Sequence, residues 1–134
     1  MIDDEFKYGI EFYKEGKSTK RTAWYFLNQL GNKNDQVSFS LFNAIYHQIG
    51  LLRQLGPLLP MPHSRKFKGR KQKIRELRLK HVTGYHRIFY CPWVSKTFVL
   101  LNHFVKDTDD TPPEDISLAE SLMDDWLRKK GGKK

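Results

Sequence analysis

The chain has 134 residues, with 24 Lys and Arg against 15 Asp and Glu, and its formal net charge of +9 points to an anionic partner with nucleic acid leading, while a merely soluble basic protein, or one paired with an acidic protein, fits the composition alone as well. That length can bury a real hydrophobic core, and it reads as one domain over residues 1–134. The lone Cys91 excludes an internal disulfide and a cysteine-rich zinc site, and no apolar run approaches the ~20 residues that span a bilayer.

The start, Met1-Ile-Asp-Asp-Glu5, is acidic and has no signal-peptide core, so a cytoplasmic protein without a membrane anchor is expected. Glu5 to Tyr13 alternates as a first strand. Glu15-Gly-Lys-Ser-Thr19 reads as a loop leading into a helix over Arg21 to Leu30, which Gly31-Asn-Lys-Asn34 ends. A second helix begins near Asp35, with Val37, Leu41, Ala44/Ile45, Gln48/Ile49 and Leu52 at helical spacing; Phe39, Phe42 and Tyr46 are read as widening that core stripe. The prolines of Gly56-Pro-Leu-Leu-Pro-Met-Pro62 stop the helix and keep the chain extended. His63 to Lys73 is an intensely basic loop.

Three antiparallel strands follow, over Ile74–Lys80, Tyr85–Tyr90 and Lys96–Lys106, the first two joined by the turn Val82-Thr-Gly84. Asp107 to Pro113 is an acidic turn. Glu114 to Lys130 reads as an amphipathic helix with Ile116, Ala119, Leu122, Met123 and Trp126 on one face, and its acidic start and basic end suit the helix dipole. Residues 131–134 read as a frayed tail. The predicted class is α+β, in the order β-α-α-β-β-β-α, with a small, mainly antiparallel sheet flanked by helices.

Strands rarely place Arg in their interior, because a buried, unpaired guanidinium is costly. Alternation puts Glu76, Arg78 and Lys80 on one face of their strand, with Leu77 and Leu79 on the other. Arg78 and Arg87, side by side, repel unless an anion lies between them, and a phosphate fits that role. Glu76, Arg78, Lys80, His86, Arg87, His103 and Lys106 together hold the residue types that metal-free RNA cleavage uses: guanidinium to stabilise charge at phosphorus, and His, Glu or Lys to move protons. His103 stands near a strand end beside Lys106, but alternation alone does not bring the two into one pocket; a bulge is needed. His47, His63, His81 and His86 have plain structural readings. No histidine pair has metal-ligand spacing, no glycine loop fits a nucleotide, and Cys91 reads as a packing residue, so no cofactor is expected.

Five segments in order resemble the RelE/ParE superfamily of bacterial toxins, in particular its HigB-like, phage-associated branch. They are Leu55 to Phe67, Arg75-Glu-Leu-Arg78, Tyr85-His-Arg-Ile-Phe-Tyr90, Val99 to Lys106 and Thr111-Pro112, within a span from about Asp35 to Leu127. The resemblance implies a RelE-like fold and a toxin of a type II toxin–antitoxin system. Such a toxin is a metal-independent endoribonuclease that enters the ribosomal A site, cleaves mRNA within a codon and so inhibits translation. By motif position, Arg78 and Arg87 would hold the scissile phosphate, Lys106 would add a cation, Glu76 would orient them, and His103 would stand in for a displaced imidazole. Arg65, Lys66, Lys68, Arg70, Lys71, Lys73, Arg75 and Lys80 would grip RNA backbone. The implied partner is a helix-turn-helix antitoxin. The chain departs from the pattern at Asn102-His103, where relatives commonly carry His-Gly, and at Asp107 and Asp110, where they tend to carry lysine. Two other functions fit the same residues: a non-enzymatic toxin acting on DNA gyrase, as ParE relatives do, or a non-toxic nucleic-acid-binding module.

Overall fold

The computed structural model describes residues 6–14, 16, 19–108 and 110–130. The expected strand residue Glu5, loop residues Glu15, Lys17 and Ser18, turn residue Asp109 and the tail 131–134 lie outside them. The elements are β1 (Gly9–Phe12), α1 (Ala23–Gly31), α2 (Gln36–Leu55), β2 (Ser64–Lys66), β3 (Arg75–His81), β4 (Gly84–Pro92), β5 (Thr97–Lys106) and α3 (Pro113–Lys130), with short 3-10 turns at Thr19–Arg21 and Gly56–Leu58. The result is a mixed α+β fold with three helices and a five-stranded sheet in the order β1-β5-β4-β3-β2. β1 pairs with β5 in parallel, and the other pairs are antiparallel.

One strand was not anticipated. The basic run expected as a loop contains β2, which pairs Ser64, Arg65 and Lys66 with Leu77, Glu76 and Arg75. Charge concealed it, because Arg and Lys carry little strand signal, yet an edge strand tolerates them well.

Local chemistry sets the helix ends. Thr22 caps α1 by accepting from the Tyr25 backbone N–H, so the helix starts two residues beyond Arg21. Asp35 caps α2 by accepting from Ser38, and the Ser38 hydrogen bonds hold its carboxyl below the usual range. At the other end Gly56 adopts φ 54, where a Cβ would meet the Tyr8 ring at 2.5 Å, so the stop is specific to glycine.

Each face of the sheet has its own core. Leu77, Ile88, Tyr90, Phe98 and Leu100 pack against Leu41, Ile45, Ile49 and Leu52 of α2 and Ala23 and Leu30 of α1. On the reverse face, Phe89, Cys91, Val99 and Leu101 pack against Ile116, Ala119, Leu122, Met123 and Trp126 of α3. Burial pushes the Cys91 thiol up to about 11, as befits a packing residue. The α3 face is the one expected. On α2, Leu41, Ile45 and Leu52 are buried as expected, but Phe39 and Tyr46 are not core: they are 68% and 72% exposed. Phe39 lies two positions, roughly 200° of helix rotation, from Leu41, and Tyr46 roughly 100° from Ile45. The wide aromatic stripe therefore splits into a buried seam and a solvent-facing row.

Candidate functional site

β3 and β4 are in register so that Arg78 faces Arg87, Glu76 faces Phe89 and Lys80 faces Tyr85. In the next pairing Arg87 faces Phe104 and Tyr85 faces Lys106. Directly opposed residues share a face, so Glu76, Arg78, Lys80, Tyr85, Arg87, Phe104 and Lys106 all lie on the α3 side of the sheet. Asn102 on β5 donates its amide to the Asp115 carbonyl near the start of α3. Toward the β3–β4 turn Lys80 and Lys106 are exposed and Arg78 and Tyr85 half-buried.

The two guanidiniums converge on one carboxylate. Glu76 is fully buried; its Oε1 lies 3.6 Å from Arg78 Nε and its Oε2 3.9 Å from Arg87 Nε. The Thr111 hydroxyl donates to Oε2 at 2.6 Å. Arg65, opposite Glu76 on β2, adds a third positive charge to its surroundings. Burial raises the Glu76 carboxyl above its ordinary value, outweighing the Thr111 hydrogen bond and the Arg87, Arg78 and Arg65 charges that lower it. The anion expected between the arginines is thus supplied in part by the chain itself.

Arg87 is 1% exposed and lies between two rings, 5.1 Å from the Phe104 centroid and 5.6 Å from Tyr85. Its Nη1 also donates to the Tyr85 carbonyl. Lys80 lies 5.5 Å from the same Tyr85 ring. Beyond the end of β2, the edge of β3 is flanked by residues 61–63: the Arg78 N–H donates to the His63 carbonyl at 2.8 Å, Arg78 Nη1 reaches the Met61 sulfur, and the Gln48 amide donates to the Arg78 carbonyl. Between these elements opens a cleft of about 480 Å³, lined by Met61, His63, Arg78, Lys80, Tyr85 and Arg87 among others.

The structure gathers Glu76, Arg78, Arg87 and Lys106 on one face but leaves His103 out. The β4–β5 bulge lies between Ile88 and Tyr90, before His103 along the pairing, so alternation from His103 to Lys106 is undisturbed and sends them to opposite faces. His103 stacks on Phe26 of α1, centroids 3.7 Å apart, and its Nε2 is hydrogen-bonded to His86 Nδ1 at 3.0 Å. Burial and the neighbouring His86 lower the His103 imidazole to about 3, and burial, His81 and Arg87 lower His86 to about 4. Both are neutral packing residues at pH 7. Asn102 serves α3 through its amide, and Asp107 and Asp110 are exposed.

The basic run is likewise divided. Arg65 shares the face of Glu76 and lies 5.1 Å from the Phe67 ring, whereas Lys66 and Arg75 oppose each other on the other face. Lys66, Lys68 and Lys73 are exposed. Arg70 and Lys71 instead turn to α3, bonding Glu120 and Asp124 at 3.0 Å each, and Gln72 joins them. Sequence reading assigned no site role to Tyr85, Phe104 or Thr111, although all three stand in segments that carry the family resemblance. The first was legible, since Tyr85 has the parity of Arg87; Thr111 is brought to Glu76 by a turn that no pattern foretells. Among the described residues no group of three or more His, Cys, Asp or Glu is placed to hold a metal ion, and no helix is long and apolar enough to cross a membrane.

Paired strand arginines beside a basic cleft, on one face of a small α+β domain, form the candidate site. Residues 35–124 match the profile of the family described as phage-derived protein Gp49-like (DUF891), and the chain belongs to that family, a RelE-related, toxin-like group. The family is associated with toxins of toxin–antitoxin pairs, which implies an antitoxin partner. No curated protein matches the sequence.

Proposed function

We propose that the protein is a ribosome-dependent mRNA endonuclease of the HigB-like branch, which inhibits translation and is held in check by a helix-turn-helix antitoxin. The observation that carries this reading is the pairing of Arg78 with Arg87 across β3 and β4, both lining one cleft. A phosphodiester seated there meets two planar forks whose charge persists at every working pH. As the ribose 2′-oxygen attacks phosphorus, charge grows on the non-bridging oxygens, and these donors stabilise it without reorganising. Glu76 holds both guanidiniums in place, Lys80 and Lys106 add positive field at the exposed end, and Tyr85 offers a ring against which a base can stack. In this reading the proton transfers draw partly on the ribosome, because His103 lies on the far face. No metal is required, since the arginines meet the charge at phosphorus. Arg65, Lys66, Lys68 and Lys73 grip RNA backbone.

The test is brief induction of the full chain followed by mapping of mRNA 5′ ends. Codon-phased cuts are expected, lost in Arg78→Ala and Arg87→Ala chains whose folding is checked by circular dichroism. Intact mRNA with DNA damage would instead favour the gyrase reading, and unaffected growth the non-toxic binding module.

A further inference from the structure

One exposed sulfur lies against the arginine cleft. Of the three methionines in the chain, Met1 lies outside the described residues, Met123 is 1% exposed beneath α3, and Met61 is 57% exposed. The sulfur of Cys91 is buried and its thiol is held in the protonated form, which oxidants attack slowly. Among the described residues, an oxidant in solution therefore meets the sulfur of Met61 first.

Met61 stands on a turn whose backbone is tied down. The His63 and Ser64 N–H groups donate to the Pro60 carbonyl at 2.9 and 3.1 Å, and the Arg78 N–H donates to the His63 carbonyl. The Ser64 and Tyr90 hydroxyls are hydrogen-bonded at 2.6 Å, so the turn is moored to β4 as well as to β3. Pro60 and Pro62, on either side of Met61, restrict the backbone further. This turn delivers the Met61 sulfur to 3.6 Å from Arg78 Nη1, on the wall of the cleft. Arg78 Nε is turned toward Glu76, so a phosphate entering the cleft is met by the outer nitrogens of the fork, and Nη1 is one of them. A thioether is a weak acceptor and yields that donor readily.

We propose that Met61 is an oxidation site, where conversion of the thioether to its sulfoxide engages the Arg78 guanidinium and weakens the hold of the cleft on phosphate. The proposal rests on the reading of Arg78 as a phosphate ligand and adds a redox control to it. The oxidant is hydrogen peroxide. Its O–O bond breaks as one oxygen bonds to a sulfur lone pair; the sulfur gives up two electrons, and the other oxygen leaves with both hydrogens as water. The new oxygen sits on the atom that Nη1 already contacts, and a sulfoxide oxygen accepts a charge-assisted hydrogen bond from a guanidinium. A phosphate must then displace that bond before it can use the same donor. The step is reversible: two thiols of a sulfoxide reductase become a disulfide as the oxygen leaves as water.

The test treats the full chain with limiting hydrogen peroxide and maps the added oxygen by peptide mass spectrometry, with a short single-stranded RNA as the binding probe. Met61 is expected to be oxidised ahead of Met123, and RNA affinity to fall about tenfold, the size of one hydrogen bond to a charged group. Methionine sulfoxide reductase with dithiothreitol should restore it. Peroxide should not change the affinity of a Met61→Leu chain, nor lower further that of an Arg78→Ala chain. The proposal is overturned if Met123 is oxidised first, if the oxidised chain binds RNA as before, or if the Met61→Leu or Arg78→Ala chain responds to peroxide as the parent does. A lowered urea midpoint in the oxidised chain also overturns it, since the effect would then run through unfolding. If Arg78→Ala binds RNA as tightly as the parent, the phosphate reading itself fails; if Arg78→Ala weakens binding and oxidation does not, the redox control alone falls.

Discussion

Arg78 and Arg87 face each other across β3 and β4, and both reach toward the carboxylate of Glu76. Glu76 thus anchors both guanidiniums beside the cleft, the arrangement that sets planar donors toward a phosphate. Replacing Arg87 by Lys keeps the charge but removes the planar fork and its contact with the Phe104 and Tyr85 rings. We expect cleavage by Arg87→Lys to fall at least tenfold in a 5′-end assay. Glu76→Gln should lower stability by about 3 kcal/mol, because it removes the carboxylate held between buried Arg87 and half-buried Arg78; urea denaturation measures it.

The division of the basic run predicts two kinds of variant. Removing Arg65, Lys66 and Lys68 together should flatten the dependence of log K on log salt for RNA binding by about 2, since each phosphate contact contributes about 0.7 to 0.9. Removing Arg70 and Lys71 should leave that slope unchanged and loosen the loop from α3, at a cost of about 1 kcal/mol for partly exposed pairs. Filter binding across a salt series separates the two.

Acid should destabilise the protein through its histidine pair. His86 and His103 are held near 4 and 3 in the folded chain, against 6.5 for the free side chain. As pH falls below 6.5 the unfolded chain takes up protons that the folded chain refuses, so stability is full above that pH and is lost on the way down to 4. For His86 alone the loss is on the order of 3 kcal/mol. Denaturation midpoints at pH 7, 5.5 and 4.5 should fall in that order, and a His103→Phe chain, which keeps a ring against Phe26, should show a shallower fall.

Gly84 begins β4 with φ +132, and a Cβ there would lie 2.8 Å from Val105 Cγ2 and 3.0 Å from the Lys106 carbonyl oxygen. Gly84→Ala should cost about 1 to 3 kcal/mol and displace the end of β5 that carries Lys106. Thermal melts and RNA affinity should fall together, unlike in a Lys106→Ala chain, where affinity alone should drop.

What the sequence disclosed follows from periodicity. Alternation in β3 placed Glu76, Arg78 and Lys80 together, and the one-residue parity of Arg87 followed once register was known. Helical spacing found the seam of Leu41, Ile45 and Leu52 but overreached at Phe39 and Tyr46, because aromatic residues signal burial whether or not another surface is there to cover them. For His103 the sequence made a bulge the condition for sharing a pocket with Lys106; the bulge lies before His103 along the pairing, so the two take opposite faces. Glu76 was read as a neighbour of the arginines, which it is. That Thr111 returns to hold it, and that Glu120 and Asp124 draw Arg70 and Lys71 aside, depends on how a turn and a helix come to rest on the sheet, and short-range pattern carries no trace of either.

The parallel pairing of Gly9 to Phe12 with Thr97 to Leu100 sets an order of events during synthesis. Among the described strands β1 has no neighbour until β5 emerges, and β5 also supplies Phe104 and Lys106 to the cationic face. Such distant partners close slowly. A nascent chain therefore carries Arg78 and Arg87 before the strand that completes their surroundings has emerged.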